Sequence, residues 1–182
     1  INALSSNGII IDEGQVTLGH EEGIYGPYTQ SAREYIYKAY LKELVEQGLA
    51  YPCFCTEEEL ASMSEEQKLR NLKPGYYGEW AIWSHKSTQE MIEMVESGKP
   101  YVIRVRSTGN ESKYIKIRDL FKGELELPEN DQDIVLMKTT GLPTYHFAHI
   151  IDDHLMGTTD VIRADEWVSS ITLHIQLFKM MG

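Results

Sequence analysis

The chain has 182 residues, 42% of them hydrophobic, and a net charge of −11. That apolar content suffices for a real core, and the length fits one compact domain or one domain with an insertion. So acidic a balance argues against an indiscriminate nucleic-acid binder, and no apolar run approaches a membrane span or a secretory signal.

The opening "INALSSNGI" reads as the last turns of a helix ending at Gly8, and "ITLHIQLFKMMG" at the far end reads as a helix cut off. Because the first residue is Ile1, the chain is expected to be a piece of a longer protein. In "QSAREYIYKAYLKELVEQG", Ile36, Tyr40 and Leu44 recur at helical spacing, as do Tyr37, Leu41 and Val45, with Gly48 as the stop. "LAYPCFC" turns extended. On an extended segment Cys53 and Cys55 point the same way, a geometry poor for a disulfide but suited to half a zinc site. Two cysteines form no disulfide framework, so a reducing, cytoplasmic setting is expected. Thr56 and Ser64 each open a capping-box pattern. "KPGYYGEW" is a turn with aromatics expected to be exposed, and "STQEMIEMVESG" a short helix ending at Gly98.

From there the period changes to two. In "PYVIRVRS", Tyr101, Ile103 and Val105 share one side and Val102, Arg104 and Arg106 the other. "KYIKIRD" places Lys116 and Arg118 on its polar side. Between Lys99 and Lys122 there are seven basic residues against two acids, Glu111 and Asp119. Charge alone favours a solvated strand face over a phosphate-facing surface. "LPENDQD" is a turn, and "IVLMK" fits a strand buried on both faces.

"PTYHFAHIIDDH" crowds three histidines and two aspartates into twelve positions, all types that bind transition metals. Its spacing predicts a helix over 144–156, stopped at Gly157. Tyr145, His149, Asp152 and Met156 share one face, and Phe147, Ile150, Ile151 and Leu155 the opposite, apolar one. His146, His149 and Asp153 could converge on a metal, yet no His-Glu-x-x-His pattern and no fourth ligand is evident. Otherwise His146 pairs with Asp153 and His154 packs. A third reading is the polar wall of a cleft. "TTDVIR" then reads as a strand and "ADEWVSSITLHIQLF" as a helix, the alternation of a parallel α/β sheet. Arg163 closes that strand at the carboxyl end, where ligand crevices form. With Tyr145 it is suited to grip a carboxylate, because the guanidinium fork matches the two oxygens. There is no phosphate-cradling glycine loop and no serine nucleophile elbow.

Three stretches, "YGPYTQSAREYIYKAYLKELVEQGLAYPCFCTEEEL", "GKPYVIRVRS" and "PENDQDIVLMKTTGLPTYHFAHIIDDHLMGTTDVIRADEWVSS", together resemble the bacterial glutamyl-tRNA synthetase family, over essentially the whole chain. The resemblance implies an α/β fold: part of a Rossmann-type class I catalytic domain (1–51 and 131–182) with an α+β tRNA-acceptor-binding insertion at 52–130. It implies ATP-dependent activation of glutamate, with Mg2+, and transfer to the 3′ end of tRNA-Glu by a monomeric parent protein.

By motif position, Tyr145, His149 and Arg163 match amino-acid-binding positions, and Glu166 and Trp167 match ATP-binding ones. Lys138 and Asp153 match a supporting pair. Arg104, Arg106, Lys116 and Arg118 fall in the insertion, as expected tRNA contacts. Zinc-containing members have a second ligand pair where this chain has Trp80 and Ile82, so Cys53 and Cys55 are a remnant half-site and no zinc is expected. No "HIGH"-type or "KMSKS"-type motif is present, so no catalytic residue is assigned and the chain alone is expected not to form adenylate. Glutaminyl-tRNA synthetase, a glutamyl-queuosine tRNA synthetase-like paralogue and a non-catalytic acceptor-binding module are the alternatives.

Overall fold

The computed structural model describes residues 2–182. α1 (Asn2–Ser6) ends before Gly8, whose φ of 75° is left-handed. β1 (Gly14–Thr17) and β2 (His20–Glu22) form a small antiparallel hairpin with no counterpart in the sequence expectations. α2 (Glu34–Glu46) follows a 3-10 turn at Gln30–Arg33 and buries Tyr37 and Leu44, as its spacing predicted. β3 (Ala50–Cys53) leads into α3 (Glu57–Leu69). At its start the Thr56 side chain accepts from the Glu59 amide while the Glu59 carboxylate accepts from the Thr56 amide, the reciprocal bonds of a capping box. The second box, expected at Ser64, does not form. α3 runs through that residue without interruption, so its backbone amides already have helical partners. α4 (Thr88–Glu96) begins with a capping box at Ser87.

β4 (Val102–Val105), β5 (Tyr114–Asp119), β6 (Gly123–Pro128) and β7 (Val135–Met137) come next, then α5 (Tyr145–Leu155) and α6 (Ile171–Met181). Every strand pairing among the described residues is antiparallel: β1–β2, β3–β4–β7 and β5–β6. The expected parallel strand "TTDVIR" is therefore a correction. Residues 158–164 adopt no strand, and Val161 and Ile162 are 54% and 91% exposed. A strand satisfies its backbone only against a neighbour, and none lies alongside.

The β3–β4–β7 sheet takes one strand from each of the three expected segments, with β3 spanning residue 52. On one side lies the larger core, where Tyr37 and Leu44 of α2 meet Phe147, Ile150 and Ile151 of α5 and Leu177 of α6. The smaller core gathers Tyr51, Cys53, Tyr76, Ala81 and Met91. Tyr76, expected exposed in its turn, is buried there, and its hydroxyl accepts the Trp83 amide at 3.0 Å.

This burial reverses the expectation for Arg104. The residue is 8% exposed, with its guanidinium 4.2 Å over the Tyr76 ring and Nη1 donating to the Asp133 carbonyl at 2.8 Å. The alternation of β4 was legible, but Tyr76 covers the face that looked polar. Arg106 is also tied inward: Nε donates to the Gly48 carbonyl at 3.1 Å and the guanidinium lies 4.7 Å over Tyr51.

Candidate functional site

α5 spans almost the predicted range because its two faces have different partners. Phe147, Ile150 and Ile151 are fully buried against α2 and α6. Asp152, expected on the polar cleft face, instead turns to α2. Its carboxylate accepts from Arg33 Nε at 2.7 Å and from the Tyr37 hydroxyl at 2.8 Å. Arg33 is 1% exposed and also donates to the Pro27 carbonyl at 2.8 Å. Burial, and then the Asp152 carboxylate, push the Tyr37 phenol up, which keeps it a donor.

The remaining face of α5 meets residues that follow it in the chain. The Tyr145 ring lies 4.7 Å from Trp167 and stacks on His149 at 5.7 Å. The Arg163 guanidinium sits 5.3 Å from the Tyr145 ring and 5.2 Å from Trp167, a cation held against two aromatic faces. Its Nη1 is buried and has no hydrogen-bond partner among the described residues. Behind them, His146 Nδ1 and His174 Nε2 are 2.9 Å apart, and the His149 and His174 rings are 4.9 Å apart.

The electrostatics favour neutral imidazoles. Burial first, then Arg163 and His146, drive His149 down to about 4. Burial, His149 and Arg163 drive His174 down to about 3, and His146 is lowered by burial and Arg163. Asp153 Oδ2 is 3.0 Å from His149 Nδ1 but is not aligned as a hydrogen bond, and burial raises that carboxyl. With the imidazole neutral, the contact is polar rather than an ion pair. Arg163 is thus the cation at the centre of an aromatic and imidazole enclosure.

The expected Lys138–Asp153 pair does not form. Asp153 lies beside His149, while Lys138 is exposed on the turn after β7, its amide bonded to the Leu142 carbonyl. His146 likewise partners His174 rather than Asp153. His154 is exposed, edge-on to Tyr40 at 6.5 Å. Glu166 is exposed on the 3-10 turn Asp165–Ser170, next to Asp165, which pairs with Lys122 at 2.8 Å. Lys116 and Arg118 stand opposite Glu126 and Glu124 in the β5–β6 register, which balances their charge across the hairpin.

Both cysteine sulfurs meet the Tyr76 hydroxyl, at 3.4 Å for Cys53 and 3.5 Å for Cys55. Contact with the Cys55 thiol, more than any other neighbour, lowers the Cys53 thiol, and the same contact raises that of Cys55. His85 is turned to the Gly78 carbonyl at 2.9 Å. Among the described residues no group of three His, Cys, Asp or Glu side chains is placed to share a metal. A structural zinc takes four ligands in a tetrahedron, and the residues around this pair do not fit one.

A family model for "tRNA synthetases class I (E and Q), catalytic domain" matches residues 5–182. The chain belongs to that family. It is 49% identical over 182 residues to the glutamate–tRNA ligase of Clostridium beijerinckii, covering 100% of this chain and 33% of that protein. It is 45% identical to the glutamate–tRNA ligase of Acetivibrio thermocellus, with the same coverage. The crystal structure of a glutamate tRNA ligase from Elizabethkingia meningosepticum in complex with its amino acid superposes with a TM-score of 0.85 and 36% identity, covering 100% of this chain and 36% of that one. The chain thus spans about a third of the length of the curated relatives it matches.

His174, which meets His146 and His149, is the member of this cluster missed in the sequence. It lies on α6 between the buried Leu173 and Leu177 and is 8% exposed. A polar residue on the apolar face of a helix was the available signal, since a buried imidazole needs a partner.

Proposed function

We propose that the protein containing this chain is a glutamate–tRNA ligase and that the enclosure around Arg163 receives glutamate. The observation that carries this reading is the buried, unpartnered Nη1 of Arg163, held between Tyr145 and Trp167. A buried donor without a partner is costly, and a ligand carboxylate removes that cost with a charge-assisted bond. Tyr145, half exposed at the first turn of α5, supplies a hydroxyl beside it, and His149 closes the wall as a neutral ring. Glu166 and Trp167 border the side from which ATP, with its Mg2+, enters.

In the reaction, a glutamate α-carboxylate oxygen attacks the α-phosphorus of ATP and pyrophosphate leaves. A hydroxyl of the terminal ribose of tRNA then attacks the acyl carbon and AMP leaves. Residues 1–51 and 131–182 form the catalytic unit, and 52–130 the acceptor-facing insertion, whose Cys53, Tyr76, Ala81 and Met91 pack with Tyr51 in the smaller core. With Arg163 taking the side-chain γ-carboxylate and leaving the α-carboxylate for ATP, the glutamine-specific reading is less favoured, because a guanidinium rewards a carboxylate over a carboxamide.

Calorimetric titration with glutamate and with glutamine tests this. Glutamate is expected to bind more tightly, and Arg163→Ala to weaken it by roughly 10- to 150-fold, the equivalent of about 1.5–3 kcal/mol for a bond to a charged group. Equal binding of the two amino acids, or an unaffected variant, would sink the assignment.

A further inference from the structure

Two nucleophilic side chains have no part in the proposed reaction. Cys53 closes β3 and is 2% exposed, and Cys55, two residues on, is half-buried. Their sulfurs reach one hydroxyl, that of Tyr76, at 3.4 and 3.5 Å, and the two thiols touch each other. Side chains two apart on an extended segment leave on one face, and the pairing of Cys53 with Val102 of β4 fixes which face that is. The wall around the pair is apolar: Leu60 and Met63 of α3, Trp83 and Val102 pack against the same core.

This placement disfavours the common two-sulfur chemistries. A disulfide of about 2.05 Å calls for Cβ atoms roughly 3.5–4.5 Å apart. Residues two apart on one strand face are separated by two rises of roughly 3.3 Å, about 6.6 Å in all. A single atom set between the sulfurs removes that mismatch. Zinc is such an atom but takes four ligands, and no third metal-binding side chain converges here among the described residues. Trivalent arsenic that already carries one organic group needs only two sulfurs to complete its valence.

We infer that Cys53 and Cys55 together form a binding site for a monosubstituted trivalent arsenical. With an organic arsine oxide, two S–H bonds break and two As–S bonds form, and the oxygen leaves with both protons as one water. The arsenic stays trivalent, so no oxidant or reductant is required. Cys55, the more open thiol, bonds first, and Cys53 closes the ring. The bridged product is neutral, so it rests against Leu60, Met63 and Trp83 without burying a charge. The arsenic takes the place of the Tyr76 hydroxyl at the sulfurs, and that hydroxyl keeps the Trp83 amide as its donor. The inference does not depend on the ligase reading, whose amino-acid enclosure is built from other residues.

Phenylarsine oxide is the probe, added to the folded chain and followed by intact-mass spectrometry. The wild type is expected to gain one phenylarsine oxide less one water, to keep it against excess glutathione and to release it to dithiothreitol. Cys53→Ser and Cys55→Ser are each expected to lose the adduct completely in glutathione, because a single As–S bond exchanges with a monothiol. Should the buried Cys53→Ser fail to fold, Cys55→Ser at the half-buried position decides alone. Tyr76→Phe is expected to retain the adduct. The reaction is repeated in urea below the unfolding transition, where its rate is expected to stay the same. No adduct on the wild type, a glutathione-resistant adduct on either cysteine variant, or a rate that climbs with urea as the open chain becomes populated would each overturn the inference.

Discussion

α5 and the segment directly after it, residues 158–163, were both expected to be regular elements lining one crevice. α5 forms over nearly the predicted range, and the segment forms no strand at all. The difference lies in where backbone hydrogen bonds come from. A helix closes its own bonds and needs only an apolar face to bury, which Phe147, Ile150 and Ile151 supply. A strand borrows its bonds from a neighbour, so a β-branched run such as Val161–Ile162 stays irregular where no strand lies beside it. Arg163 ends up in place through its contact with two rings rather than through sheet geometry.

The sharpest way to break this contrast is Phe147→Ala. The side chain is fully buried, and its removal is expected to cost about 3–5 kcal/mol in a urea melt. A cost below about 1 kcal/mol would mean that the apolar face is not what holds α5. Next is Asp152→Ala, which strands the buried Arg33 and removes the acceptor of the Tyr37 hydroxyl. Because Asp152 itself is 23% exposed, the destabilisation is expected near the lower end of the roughly 3–5 kcal/mol typical of a broken buried pair. Arg33→Met/Asp152→Leu should recover part of it in the same melt.

A smaller, pH-dependent effect separates α5 and its imidazole neighbours from the exposed segment. His149 and His174 fall to about 4 and about 3 in the folded protein, against 6.5 ordinarily. The unfolded chain therefore takes up protons first. The stability these rings allow is complete above pH 6.5, declines as pH falls toward 4 and 3, and levels off below. His174→Gln is expected to flatten the dependence of the urea midpoint between pH 7 and 5, and an unchanged slope would remove the imidazoles from the explanation. The smallest effect belongs to Ile162→Ser, expected within about 0.5 kcal/mol of wild type because the side chain is 91% exposed. A large destabilisation there would show that the segment packs after all.

What was legible in the sequence follows the same division. Helices and their stops were read from local signals: α2, α4 and α5 appear where the sequence placed them, whereas α3 was marked only by the capping box at Thr56 and runs on through Ser64, where a second start was expected. Tyr145, His149 and Arg163, grouped by the resemblance, do lie together, and Trp167, which it assigned to ATP, packs against Tyr145 and Arg163 as well. The errors concern which neighbour covers a face. Arg104 looked solvent-facing until Tyr76, from a turn distant in sequence, closed over it. Asp152 and Asp153 are adjacent, yet one turns to α2 and the other to His149. β6 was missed although Glu124, Leu125, Glu126 and Leu127 alternate, and its glutamates offset the basic strand across from it. Local patterns carry the element, but the partner of a side chain is a non-local fact.

The Arg33–Asp152 bond joins groups 119 residues apart, whereas Cys53 and Tyr76 in the smaller core are separated by 23. Chain entropy makes the longer closure more expensive by about 1.4 kcal/mol, at roughly 0.6 kcal/mol per doubling of loop length. The smaller core can therefore assemble first and serve as a tether that brings α2 and α5 together. On that order of events, weakening the Arg33–Asp152 link is expected to accelerate unfolding and leave the refolding rate nearly untouched.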